Sequence, residues 1–145
     1  GDPMPGAAYV LSPWADLTAS GESVVTRAPF DPMFDGDGLI EAATTYAGDT
    51  SLDHPGVSPL FADPTGYPPT LIQTGMDEIL LSDSTRLAER YTAAGVEVRL
   101  DLRDDLWHVY QVLAGYMPEA TDALIRAAVF IRTHTPAPFP EPAPA

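Results

Sequence analysis

"TLIQTGMDEILLSDSTRLAERYTAAGVEVRLDL", residues 70–102, decides the fold. It opens on "TLIQTG" (70–75), a short apolar run bounded by turn residues, as in a strand buried on both faces. "SDSTRLAERYTAAG" (82–95) follows, with Leu87, Ala88, Tyr91 and Ala94 on one helical stripe, Ser82 as the expected cap and Gly95 as the stop. "VEVRLDL" (96–102) then alternates apolar and charged residues with period two, the pattern of a strand near a sheet edge with one dry and one wet face. Strand, helix, strand in that order is a parallel crossover unit.

Working outward, the same alternation continues. "AAYVLSPW" (7–14) is another buried-strand candidate, stopped by Ser12-Pro13. Turns at "TASGES" and "APFDP" make the text up to about residue 36 loop-like. "DGLIEAATTYAG" (37–48) predicts a helix with Asp37 as N-cap and Gly48 just past its end. Residues 49–69 are proline-rich and predict an irregular connection, and a connection of that length usually lines or covers something functional. "MPEATDALIRAAVFIRTHT" (117–135) has Pro118 in its first turn, acids close behind, and Arg132 and His134 at its end, which complements the helix dipole. We therefore expect an α/β domain with a mainly parallel sheet over residues 1–135, followed by a disordered Pro/Ala-rich tail, 136–145.

Composition narrows the function. With 21 acids against 7 arginines and no lysine, the net charge is -14. A phosphate backbone or an anionic membrane surface is repelled by that balance, so we expect no nucleic acid partner. No apolar run reaches membrane-spanning length. The absence of cysteine removes disulfides, thiolate zinc sites and a cysteine nucleophile, and leaves the compartment open. The three histidines show neither H-x-x-x-H nor H-x-H spacing, and we expect neither metal nor cofactor.

In a parallel sheet the residues just after each strand gather along one edge, where such folds place their sites. Asp77 follows the 70–75 strand, and His108, in "DDLWHVYQ" (104–111), follows the 96–102 strand. The two form a candidate acid–histidine pair, in which the carboxylate fixes the imidazole tautomer and the other ring nitrogen moves protons. A shift of register would hand the orienting role to Glu78 or Asp105. Otherwise Glu78, Asp83, Asp104 and Asp105 read as solvated or helix-starting acids. His54 sits in a turn and His134 at a helix end. Trp14, Met33, Phe34, Phe61 and Trp107 are either pocket or core residues.

Taken in order, "AYVLSPWADLTASGES", "GVSPLFAD", "PPTLIQTGMDEILLSDSTRLAERYTAAGVEVRLDL" and "LWHVYQ" resemble the C-terminal half of an α/β-hydrolase of the hormone-sensitive-lipase-like carboxylesterase family, over about residues 5–133. The resemblance implies that Asp77 is the triad acid and His108 the base, acting on small acyl esters. It also implies a homodimer, with "VEVRLDL" as candidate edge. The family's remaining motifs are absent. No serine lies in a G-x-S-x-G elbow, no HGGG-type loop is present, and Ser12 precedes a proline that lacks the N–H an oxyanion hole requires. The nucleophile and oxyanion donors are thus expected from the N-terminal half of the hydrolase, on the same or a separate chain. The other reading is a non-catalytic or degenerate α/β-hydrolase-like binding module.

Overall fold

The computed structural model describes residues 4–135. The tail expected at 136–145 lies outside them. Three parallel strands, β1 (Ala8–Leu11), β2 (Thr70–Gly75) and β3 (Val98–Arg103), stand side by side in sequence order. The register aligns Leu11 with Gln73 and Gln73 with Asp101. Between β1 and β2 run α1 (Ser23–Thr26) and α2 (Gly36–Ala47), α3 (Leu81–Ala93) joins β2 to β3, and α4 (Pro118–His134) follows β3.

β2 is central because every one of its residues is buried. Successive side chains of a strand point to opposite faces. Ile72 accordingly packs with Leu87 and Ala88 of α3, while Leu71 packs with Ala127 and Phe130 of α4. Each such aliphatic side chain contributes roughly 1.5–3 kcal/mol by leaving water. The helical stripe expected on 82–95 is therefore the face that covers the sheet. β1, expected to be buried on both faces, is only half-buried along its length and pairs with β2 alone among the described residues.

Three local expectations change. The cap of α2 is Asp35, not Asp37, because the Asp35 carboxylate accepts the Gly38 N–H at 2.7 Å while Asp37 falls inside the first turn. Ser82 does not cap α3, whose cap position is Leu80. The Ser82 hydroxyl instead accepts the Ser23 N–H at 3.0 Å, tying α1 to α3. The charged face of β3 is not simply wet. Asp101 lies under α4, where its Oδ2 accepts hydrogen bonds from Gln73 Nε2 at 3.0 Å and Arg126 Nε at 2.9 Å. Tyr9 extends this row by donating to Gln73 Oε1 at 2.7 Å, so one polar line crosses all three strands.

α4 begins and ends as its sequence predicts, with Pro118 in the first turn and Arg132 and His134 in the last. The Phe130 carbonyl, bonded by Nδ1, and Glu97, bonded by Nε2 at 3.0 Å, raise the His134 pKa. No helix among the described residues is long and apolar enough to cross a membrane.

Candidate active site

The carboxyl ends of β1 and β2 and the segment after β3 converge on one side chain, Glu78. As β2 ends, the chain turns sharply and Glu78 folds back beneath its own strand. Its Oε1 accepts the Gly75 N–H at 2.9 Å, the Thr74 hydroxyl, and the Ser12 hydroxyl at 2.9 Å. Three donors on one oxygen leave the other free. That Oε2 lies 2.8 Å from His108 Nδ1. Glu78 is fully buried and the His108 side chain is 14% exposed, so the pair is shielded from water.

This corrects the expected pairing. Asp77 is not the partner of His108; its carboxylate points outward, 30% exposed and 3.9 Å from Arg27. Its backbone explains why. The Asp77 N–H donates to Leu106 O at 2.9 Å, so the peptide faces the histidine segment and the side chain faces away. The next residue, one methylene longer, turns inward. Asp105, the other alternative, has φ 58 and takes no part in the pair.

Two features bring the histidine to the acid. Gly75 lets the loop after β3 approach β2, since a Cβ there would lie 2.1 Å from Leu106 O. Val109, directly after His108, adopts the left-handed conformation at φ 51. With Nδ1 engaged by a carboxylate, the imidazole carries its proton there and presents Nε2 as the acceptor.

Beside His108 lies an apolar cavity of about 330 Å³, walled by Trp14, Met33, Phe34, Leu39 and Leu80. Phe34 meets the imidazole edge-on, with ring centroids 4.7 Å apart at 77°. Asp31 holds this wall in place. Its Oδ1 accepts the Met33 and Phe34 N–H groups at 2.8 and 3.1 Å, and its Oδ2 accepts Ile79 N–H at 2.8 Å. Trp14, Met33 and Phe34 thus prove to be lining residues, whereas Phe61 packs into the α3-side core.

Asp83 and Glu78, solvated acids by their sequence context, are both buried. A single oxygen of Asp83 accepts the N–H groups of Ala15 and Asp16 at 2.8 Å each, which anchors the loop carrying Trp14. Burial pushes the Asp83 carboxyl up to about 6, against the opposing pull of those two N–H groups. Neighbouring Asp16 behaves oppositely. Burial works against its charge, but hydrogen bonds from Ser20, Thr18 and Arg86 outweigh that and hold it below the ordinary range.

A pH prediction follows for Asp83. Between the ordinary value near 4 and the folded value near 6, the folded chain holds a proton that the unfolded chain has shed. Its stabilising effect is complete below that window and disappears as pH rises through it. Asn can accept both N–H groups without a charge. The Asp83→Asn variant, compared with wild type by urea midpoint at about pH 4 and pH 7, should lack this dependence, a difference of order 2 kcal/mol.

No group of three or more His, Asp or Glu side chains suited to a metal exists among the described residues. The His54 ring nitrogen Nδ1 accepts the Gly56 N–H at 3.0 Å within its turn.

A parallel sheet flanked by helices, with a buried carboxylate–imidazole pair at its carboxyl edge, defines an α/β protein. A family profile described as alpha/beta hydrolase fold matches residues 1–112. The chain is 37% identical to an acetyl-hydrolase of Streptomyces hygroscopicus, over 93% of its own length and 45% of the relative's. It is 38% identical to an esterase of Acinetobacter venetianus, covering 88% of this chain and 42% of that one. Among solved structures, an esterase from the bacterial hormone-sensitive lipase family superposes with a TM-score of 0.90 at 41% identity, over 92% of this chain and 45% of the other. The chain belongs to the α/β-hydrolase fold family, and its likeness within it is to esterases of the hormone-sensitive lipase type. It spans less than half the length of these relatives.

Proposed function

We propose that this chain supplies the acid and the base of a Ser–acid–His carboxylesterase site that hydrolyses short acyl esters. The serine and oxyanion donors come from the other half of the hydrolase. The observation that carries this reading is the buried 2.8 Å contact between Glu78 Oε2 and His108 Nδ1.

In this reaction His108 Nε2 takes the proton from the serine hydroxyl as its oxygen attacks the ester carbonyl carbon. The tetrahedral intermediate then collapses, the C–O bond to the alcohol breaks, and the imidazolium returns the proton to the departing oxygen. Water repeats the cycle on the acyl-enzyme. The Glu78 carboxylate holds the ring through Nδ1 and stabilises the imidazolium. It, not Asp77, is the acid in this assignment.

The small apolar cavity beside His108 supports a short acyl or alcohol group, and a relative named an acetyl-hydrolase supports the same substrate class. A serine-directed fluorophosphonate tests the class. The polypeptide that unites this chain with its other half should gain one covalent adduct by intact mass and lose hydrolysis of p-nitrophenyl acetate in parallel. An unlabelled protein without turnover overturns the proposal in favour of a binding module.

A further inference from the structure

We propose that Ser12, at the end of β1, is a positioning residue that locks the acid and the base of this site to each other through one buried hydroxyl. The inference rests on the triad reading above and extends it to a third strand.

Ser12 is 2% exposed, and both capacities of its hydroxyl are spent on the pair. It donates to Glu78 Oε1 at 2.9 Å and accepts the Val109 N–H at 3.1 Å. The first contact orients the carboxylate, and the second holds the residue that immediately follows His108. Its own backbone is fixed independently, because the Ser12 N–H donates to Gln73 O at 2.8 Å and so continues the ladder between β1 and β2. The hydroxyl is therefore a rigid extension of the sheet. Buried, and with its oxygen engaged by the Val109 N–H, this hydroxyl is not presented to a substrate as a nucleophile.

Backbone conformation marks the same junction. Ser12 has φ 41 and Val109 has φ 51, both in the left-handed region that side-chain-bearing residues avoid. A β-branched residue such as Val109 resists that conformation. It persists only where the surroundings over-determine it, and the bond to Ser12 is such a restraint. Freed from it, the backbone after His108 can relax and carry the ring away from Glu78.

The test is a mutant cycle in the polypeptide that includes both halves. Ser12→Ala removes the hydroxyl, and Ser12→Gly removes it while suiting the positive φ. Both should lower kcat by about ten- to a hundredfold and leave KM within about threefold, since misplacing a catalytic group by about 1 Å costs on that order. Added to Glu78→Gln, Ser12→Ala should lower kcat by less than about threefold further, because the partner it positions is already disabled. Turnover within about twofold of wild type in either single variant overturns the proposal. So does a full multiplicative loss in the double variant, or failure of both single variants to fold by circular dichroism, which would assign Ser12 to the fold alone. Wild-type turnover in Glu78→Gln itself would remove the triad assignment and the Ser12 proposal with it, an outcome distinct from the others.

Discussion

Replacing His108 by Ala, or Glu78 by Gln, is expected to cost about three or more decades of ester hydrolysis, whereas Asp77→Asn should remain within about threefold of wild type. The magnitude follows from roles that have no substitute at the site. On the proposed triad, nothing takes the serine proton once the imidazole is removed. Without the carboxylate the ring loses its 2.8 Å partner, and a Gln amide oriented by its three neighbours can present an N–H to Nδ1, which favours the wrong tautomer. The two losses should not add, because the residues act as a unit. Asp77 is the informative contrast. Its carboxylate faces Arg27 at 3.9 Å with both side chains about one-third exposed, and such a surface pair contributes at most about 1 kcal/mol. Initial rates on p-nitrophenyl acetate for the three variants decide the matter. A collapse of activity in Asp77→Asn with Glu78→Gln near normal would return the acid role to Asp77.

That contrast also shows how far the residues alone could carry the reading. β2 was legible to the residue because an apolar run between a diproline and a glycine has a single solution as a central strand. His108 and the sheet edge it occupies were legible from strand order. The choice between Asp77 and Glu78 was not, because it lies in a turn, where no period relates one side chain to the next. Only the Asp77 N–H bond to Leu106 O, a contact between segments far apart in sequence, decides which of the two acids turns inward.

The buried acids escape a sequence reading for a related reason. Asp83 occupies the first turn of a helix, where acids are ordinarily solvated, and nothing local reveals that the loop at Ala15 and Asp16 brings its N–H groups there. Ser12 shows in sequence only what its following proline denies a nucleophile, and its actual partners are 66 and 97 residues away. Local pattern specified elements; the site is built from contacts between them.

Gly75→Ala should be the most damaging substitution outside the pair itself. The added methyl would sit 2.1 Å from Leu106 O, 2.5 Å from Leu106 C and 2.9 Å from Trp107 N. All three are backbone atoms, so no side-chain rotation relieves the clash, and strand or loop must move by more than about 1 Å to reach ordinary van der Waals separation. β2 cannot yield easily, being hydrogen-bonded on both edges and buried throughout. The loop must give instead. Leu106 is packed with Tyr110, Ala120 and Ala123, so its displacement disturbs the contact with α4 and carries His108 off Glu78. We expect kcat to fall by about two decades or more, and stability by about 1–3 kcal/mol, the usual cost of overpacking. Thermal melts and initial rates measured together separate the two effects. Wild-type turnover in the Gly75→Ala variant would show that the close approach of Leu106 does not place the base, and the geometric account of the pair would have to rest on Ser12 and Val109 alone.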